Sequence, residues 1–218
     1  MKALHFFSLW ILIGLAAATQ APSSPLVKIP EGPFTLGHGA QPPYGPERTV
    51  HLNAFLIDQN EVTNEEFQEQ FPQHRFRKGA ERHPVTRVSW KQADAYCKKL
   101  NGRLPTGEEW EKAARGVAGS VYPWGNAKPK KKPHPFYSGV IKKPAGSNAQ
   151  DLSPYGVQDM AGSVWEWTAD SAGAAKVIRG GLWNLHLDFE YSKTFDKATI
   201  PPEERLSFLG FRCVRPMN

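Results

Sequence analysis

Short alternations of apolar and polar residues, interrupted by turn residues, dominate this chain. Strands of four to eight residues are typical of such alternation, whereas a long helix would need a sustained period of 3.6. No predicted element covers residues 184–206, where charges of both signs are mixed. The segments predicted as strands are residues 26–30, 32–37, 50–58, 177–183 and 207–214.

Three capping boxes predict the starts of three short helices, at Thr63–Glu66, Ser89–Gln92 and Thr106–Glu109. In each box a hydroxyl and a Glu or Gln three residues later satisfy two backbone donors that would otherwise lack partners. The second helix should stop at Asn101–Gly102 and the third at Gly116. The residues predicted to face inward are Phe67 and Phe71, then Ala93, Tyr96, Cys97 and Leu100, then Trp110, Ala113 and Ala114.

The stretch Tyr155–Asp170 carries two tryptophans, three carboxylates and two glycines. Asp159 and Glu166 lie seven positions apart with Gly162 between them, so a curled loop could aim both carboxylates at one hard cation such as calcium. The alternative is a core strand in which Trp165 and Trp167 pack while the acids face water. Spacing alone favours this alternative.

The amino terminus has the pattern of an export signal. Lys2 is followed by an apolar run and by three alanines at positions 16–18, which form a small-residue cleavage site. The apolar run is short for a membrane span, although an uncleaved anchor is the alternative. We therefore predict a signal peptide over residues 1–18, a flexible Pro/Ser tether over 19–25, and a single domain over 26–216.

Composition supports a loop-rich domain in an oxidising, exported location, either secreted or periplasmic. The chain has 218 residues with Gly 19 and Pro 19, which indicates many turns. Its formal net charge is +6, and lysines cluster between positions 128 and 143. Such a Pro-spaced basic loop is more often solvated than a binding site for acidic polymers. No nucleic-acid motif is present, so that partner is not expected.

The chain contains two cysteines, Cys97 and Cys213, without a close cysteine or histidine at metal-binding spacing. A long-range disulfide is the natural interpretation for an exported chain. The alternative is a reactive pair, but neither cysteine has a neighbour that would obviously lower its pKa.

Several motifs in order resemble the formylglycine-generating enzyme, or sulfatase-modifying factor, family. The resemblance runs from about Leu26 to Arg215. Its motifs are Glu61–Asn64, Pro84–Val85, Val88–Trp90, Ala95–Cys97, Gly102–Thr106, Glu108–Glu111, Ala114–Gly116, Pro123–Asn126, Asp159–Trp167, Arg179–Gly181 and Gly210–Cys213.

The resemblance implies an irregular α+β fold, the formylglycine-generating-enzyme-like variant of the C-type lectin fold, low in regular secondary structure. It also implies a disulfide between Cys97 and Cys213. A structural calcium site is implied as well, with side chains from Asp159 and Glu166 and carbonyls from Gly162 and Val164. Asp at 159, where the family usually has Asn, keeps an oxygen ligand and adds charge.

The active members of the family bind copper through two cysteines just after the Arg-Gly-Gly turn, and oxidise a substrate cysteine. In this chain Leu185 and Glu190 occupy those two positions. Cu(I) prefers soft thiolate or thioether ligands, which neither side chain supplies. Formylglycine synthesis by the copper-cysteine mechanism is therefore not expected, and whether the chain is an enzyme at all stays open.

Two functions remain. In the first, the domain is a non-catalytic binding or accessory module for an exported protein, peptide or glycan. In the second, it is a metal- and oxygen-dependent oxidoreductase acting on a peptide or peptide-derived substrate with copper or iron, and Glu190 and His186 are its active-site residues. His186 could equally be a packing or surface histidine. In either case we expect Trp124, Trp183 and Tyr191 to line the ligand cleft.

Overall fold

Three short helices and eleven short strands form the structure, a computed structural model. It describes residues 24–39, 44, 46–128, 135–136, 143–181, 183–184 and 192–217, with the backbone alone at 135–136 and 183–184. The helices are α1 (Asn64–Gln70), α2 (Trp90–Lys99) and α3 (Gly107–Arg115). The strands are β1 (Leu26–Ile29), β2 (Gly32–Leu36), β3 (Arg48–Leu52), β4 (Phe55–Asp58), β5 (Pro135–Phe136), β6 (Trp165–Ala172), β7 (Ala175–Gly180), β8 (Trp183–Asn184), β9 (Lys197–Ile200), β10 (Leu209–Gly210) and β11 (Val214–Pro216).

All three predicted helix starts are confirmed. Thr63, Ser89 and Thr106 are the N-caps, and each forms a complete capping box with the residue three positions later. The ends are also close to prediction, since α2 is followed by Asn101 and Gly102 and α3 is capped by Gly116. These boundaries depend on contacts between residues that are neighbours in sequence, which explains why the sequence predicted them.

Two sheets organise the domain. In the first, β4 lies between β1 and β11 and pairs with both in antiparallel register, so residues near both ends of the described chain share one sheet. In the second, the order is β10-β6-β7-β9, with β10 parallel to β6 and the other pairs antiparallel. The strand β6, which comes from the central stretch, is therefore an interior strand with partners on both edges.

Several strand predictions were wrong in detail. Residues 50–58 form two strands, because the chain breaks at Asn53–Ala54 and β3 pairs with β2 while β4 joins another sheet. Residues 207–214 likewise hold two short strands in different sheets. The strand β9 lies within the segment where no element was predicted. Each difference follows from pairing between distant segments, which local alternation does not record.

Two buried clusters form the core. One joins α1, α2, β6 and the disulfide, and contains Trp167, Phe67 and Phe211. The other surrounds Trp110 of α3 and includes residues of β1, β4 and β11. The Cys97–Cys213 disulfide is confirmed, with the two Cα atoms 5.6 Å apart, and it links α2 to the segment between β10 and β11. Across the described ranges, no helix is long and apolar enough to cross a membrane.

Candidate functional site

The two tryptophans of the central stretch and the glutamate between them are all buried. Trp165 is 5% exposed, while Glu166 and Trp167 are at 0%. The expectation that the acids of this stretch face water is therefore wrong for Glu166. The strand β6 is covered on both faces, so the alternation of aromatic and acidic side chains did not indicate which face was solvated.

Glu166 forms a bidentate ion pair with Arg212. The guanidinium Nε donates to Oε2 at 2.8 Å and Nη2 donates to Oε1 at 2.7 Å, and the indole Nε1 of Trp110 also donates to Oε2 at 2.9 Å. Arg212 additionally donates to the backbone carbonyls of Asp58, Gln59 and Gln158. Both side chains are fully buried, so the charges are stabilised by each other and by these hydrogen bonds.

Two further carboxylates, Asp159 and Glu61, belong to the same buried region. Burial raises the pKa of Glu61 well above its usual value, and the negative charge of Asp159 raises it further, although Arg212 opposes both effects. Both oxygens of the Glu61 carboxylate are buried, and the Ser163 side chain, which opposes the rise in pKa, lies close to them. Three carboxylates and one guanidinium leave a formal charge of −2 when all four groups are ionised, which a divalent cation would balance.

The loop before β6 has the curled backbone that its glycine suggested. Asp159, Gly162 and Ser163 have φ angles of 60°, 145° and 64°. Asp159 Oδ2 accepts a hydrogen bond from the backbone of Gly146 at 2.6 Å. Gly162 and Val164, the two predicted carbonyl ligands, are buried in the loop that runs from Asp159 to β6, the strand that carries Glu166. The structure thus brings the four predicted calcium ligands into one region.

No group of three His, Cys, Asp or Glu side chains suited to holding a metal ion is found in the described ranges. A cation near Asp159 and Glu166 would therefore depend on backbone carbonyls. Glu166 Oε1 accepts one described hydrogen bond, and a carboxylate oxygen has a second lone pair to offer. Two carboxylates and two backbone carbonyls are the oxygen ligands that a calcium ion would take, so Asp159, Gly162, Val164 and Glu166 stay candidates for such a site.

Only part of the predicted ligand cleft lies within the described residues. The ring of Trp124 stacks on Tyr122 with the centroids 5.1 Å apart and an angle of 3° between the planes, and its Nε1 donates to the carbonyl of Ala127. Trp183 begins β8, which pairs with β5. Tyr191, His186 and Glu190 lie outside the described residues, as does Leu185.

The chain on either side of residues 182–191 is fixed to α3. Before this segment, Arg179 Nη1 lies 3.0 Å from Glu111 Oε2 and donates to the carbonyl of Phe195, which follows the segment. Arg115 of α3 pairs with Glu111 and lies over the Phe195 ring. Both flanks of the region where the active members place their copper cysteines are thus held on one buried ion-pair network.

Sequence reasoning missed the roles of Glu61, Arg212 and Glu111. All three occur inside the quoted motifs, but the motifs gave no indication of which charged residues are buried. The available signal was their position beside apolar residues in segments predicted as core, where a charged side chain is rarely left without a partner.

Comparison with known proteins defines the class. A family model described as the sulfatase-modifying factor enzyme 1-like domain matches residues 14–217. This chain belongs to that family, and its fold is the formylglycine-generating-enzyme-like variant of the C-type lectin fold. PvdO from Pseudomonas aeruginosa, a solved structure, aligns with a TM-score of 0.72 at 23% identity, covering 88% of this chain and 94% of that one.

Two named relatives differ in what their names say about activity. The inactive C-alpha-formylglycine-generating enzyme 2 of Bos taurus is 40% identical over 154 residues, covering 60% of this chain and 49% of the relative. The formylglycine-generating enzyme of Mus musculus is 32% identical over 162 residues, covering 60% of this chain and 44% of the relative. The chain thus spans about half the length of the curated relatives it matches.

Proposed function

We propose that this sulfatase-modifying-factor-like domain is an exported, non-catalytic binding or accessory module. The observation that carries the proposal is that the chain has two cysteines and both are joined in the Cys97–Cys213 disulfide. Copper-dependent oxidation in this family depends on thiolate ligands, and a disulfide sulfur is not a thiolate. The folded, oxidised chain therefore offers no thiolate to Cu(I).

Similarity to the bovine relative supports the same conclusion. That protein is named as inactive, and at 40% it has a higher identity to this chain than the 32% of the mouse formylglycine-generating enzyme. The proposed ligand is an exported protein, peptide or glycan. Aromatic side chains such as the stacked pair Trp124 and Tyr122 suit flat apolar faces of a peptide or sugar.

Export is supported by the disulfide, because such bonds persist in oxidising compartments and are rare in reducing ones. It is supported also by the amino-terminal sequence described above. Recovery of the chain from an exported fraction with Cys97 and Cys213 joined in a disulfide would agree with this location. A reduced, retained chain would contradict it.

The decisive experiment combines metal content with an activity assay. The chain purified from an exported fraction is loaded with copper or iron and incubated with oxygen and a cysteine-containing peptide, and the peptide is examined by mass spectrometry. We expect no stoichiometric copper or iron and no conversion of the cysteine. Metal that Glu190→Ala or His186→Ala removes, accompanied by oxygen uptake, would contradict the proposal and favour the oxidoreductase alternative.

A matched gain-of-function variant sharpens this test. Replacing Leu185 and Glu190 together with cysteine restores the two ligand positions of the active members. We expect the double variant to bind copper where the native chain does not, because two thiolates suit Cu(I). If neither chain binds copper while a formylglycine-generating enzyme does, residues other than the two cysteines prevent binding.

The buried acidic region is proposed as a structural calcium site with ligands from Asp159, Gly162, Val164 and Glu166. The buried carboxylates of Asp159, Glu166 and Glu61 face one guanidinium, that of Arg212, and this excess of acidic groups supports a divalent cation there. Calcium should raise the midpoint of thermal unfolding, because a ligand that binds only the folded state stabilises it. Asp159→Ala should abolish that rise, whereas Asp94→Ala, which removes the half-buried partner of the exposed Lys98, should preserve it.

A further inference from the structure

A pocket with a volume of about 570 Å³ lies beside the loop that connects α1 to α2. Its described lining includes the side chains of His74, Arg75, Arg77, His83 and Arg87. No aspartate or glutamate is among the described residues that line it. None of the predicted cleft or calcium residues is among these described lining residues. We call this cavity the arginine pocket.

The three arginines that give the pocket its charge form no salt bridge with any residue in the described part of the chain. Arg77 and Arg87 are exposed. Arg75 is held by its Nη1, which donates to the carbonyls of Pro72 and His74 at 2.6 and 3.0 Å. Like charges gathered around one cavity repel each other, and an anion placed among them would relieve that repulsion.

The wall of the pocket is pre-organised by one side chain. Asn64 Nδ2 donates to the carbonyls of Ala80 and His83 at 2.9 and 3.2 Å. Those two contacts fix the orientation of the amide, so its Oδ1 faces His74 Nε2 at 3.1 Å. Because Oδ1 can only accept, Nε2 carries the hydrogen in this arrangement. The Asn64 side chain therefore ties the loop to α1 with three hydrogen bonds, so the path of the loop does not need to be ordered when a ligand binds.

Arg87 has a backbone conformation that arginine rarely adopts. Its φ is 59°, and its backbone N–H donates to the carbonyl of Leu206 at 3.0 Å. This backbone hydrogen bond connects Arg87 to the residue before Ser207, another lining residue, and holds the strained position at the pocket. Strained residues that the surrounding structure enforces are found often at ligand-binding sites.

We propose that the arginine pocket binds the oxoanion group of a small ligand, a sulfate or phosphate ester. Guanidinium groups suit such groups because their planar forks donate two parallel hydrogen bonds to adjacent oxygens. Phe76 and the His74 ring, whose centroids lie 5.9 Å apart, add apolar surface for the ring or chain that carries the ester. The volume suits one sugar or amino-acid residue with its substituent.

The experiment measures binding by isothermal titration calorimetry with the full exported chain in a low-salt buffer. The probes are inorganic sulfate, inorganic phosphate, N-acetylglucosamine 6-sulfate and N-acetylglucosamine 6-phosphate, with N-acetylglucosamine as the neutral control. We expect saturable binding of one charged ligand per chain and none of the neutral sugar. A preference between the two sugar esters identifies the source of the oxoanion.

Variants locate the site. The double change Arg77→Ala with Arg87→Ala should weaken binding of the preferred ester at least about tenfold, because two charge-assisted contacts are removed. Arg77→Lys should recover only part of the affinity, since a lysine keeps the charge and loses the fork. The matched control is Arg48→Ala together with Lys28→Ala, which removes two exposed cations elsewhere and should change the affinity less than about twofold.

An equal loss of affinity in the double variant and in its control would show a non-specific effect of net charge and would overturn the proposal. The absence of saturable binding by the native chain would overturn it as well. Unchanged thermal midpoints establish that the variants fold. The proposed module function does not depend on this pocket, because none of the described lining residues belongs to the predicted cleft. Failure of anion binding is therefore distinguishable from failure of that function.

Discussion

Arg212 is the side chain on which the buried polar groups of the central region converge. Its guanidinium bonds Glu166 twice and reaches three backbone carbonyls from two separate segments of the chain. Burial acts to lower the pKa of Arg212, but the charge and hydrogen bonds of Glu166 outweigh this effect and raise it. A single residue thus fixes the end of β4, the loop at Gln158 and β6 relative to one another.

Removing this guanidinium should be costly. We expect Arg212→Met to lower the free energy of unfolding by about 3–5 kcal/mol, because the Glu166 carboxylate would stay buried with Trp110 as its remaining described side-chain donor. Arg48→Met breaks an exposed pair with Glu108 and should cost less than about 1 kcal/mol. Urea unfolding of both variants measures the difference. Similar losses of unfolding free energy in the two variants would mean that the buried pair contributes no more to stability than the exposed pair does.

The environment of His74 predicts how the stability of the fold changes with pH. Burial lowers its pKa, and the charge of Arg75 lowers it further. The unfolded chain therefore takes up this proton more readily than the folded chain does, and stability falls as the pH drops through the ordinary histidine pKa of about 6.5. His74→Gln keeps a donor for Asn64, so its thermal midpoint should fall less between about pH 7.5 and about pH 5.5. An equal fall in both chains would contradict the assignment.

Local capping and contacts with residues outside the helix together define where a helix begins. Each capping box closes within four residues, but Glu109 of the third box also accepts two hydrogen bonds from Arg103, both at 2.6 Å. The hydroxyl of Thr106 accepts from the backbone of Glu109 at 3.1 Å. The start of α3, which carries the central Trp110, is therefore defined by its own cap and by the loop that precedes it.

The cap of α3 can be tested without changing the core. Thr106→Ala should lower the free energy of unfolding by about 1 kcal/mol, with a range of about 0.5–2, because one backbone donor loses its partner. Thr106→Ser keeps the oxygen and should stay within a few tenths of a kcal/mol of the native chain. If serine were as destabilising as alanine, the methyl group rather than the cap would be responsible.

At the scale of the whole molecule, the disulfide and the sheet around β4 both join distant parts of the chain. Both β1 and β11 pair with β4, and the Cys97–Cys213 bond closes a span of 116 residues next to β11. The two features unite the beginning, middle and end of the described chain. The arrangement also accounts for the absence of free thiols among the cysteines.

Replacing both cysteines with serine should lower the free energy of unfolding by about 2–5 kcal/mol, because the unfolded chain gains conformational freedom. Ligand binding and metal content should be unchanged, since neither cysteine belongs to the predicted cleft or calcium site. Thermal denaturation, with titration of free thiols in the native chain as a control, measures both. Two free thiols in the native exported protein would contradict the disulfide.

The sequence by itself determined the helix starts at Thr63, Ser89 and Thr106, the family and the pairing of Cys97 with Cys213. It also indicated that Leu185 and Glu190 replace the copper cysteines. These features depend on short spacings or on residues recognisable by type, so neighbouring positions carry the information. The predicted catalytic, cleft and calcium residues, Trp124 included, stay predictions, as do the signal peptide, the tether and the domain boundaries.

Only the tertiary structure decided the environment of each charged side chain. Glu166 faces Arg212 because β6 is covered on both sides, and Glu61 joins it from a distant segment. The arginine pocket likewise exists because Asn64 ties one loop to α1 and Leu206 ties another to Arg87. Burial and pairing of charges depend on contacts between residues far apart in sequence, and no local pattern specifies those contacts.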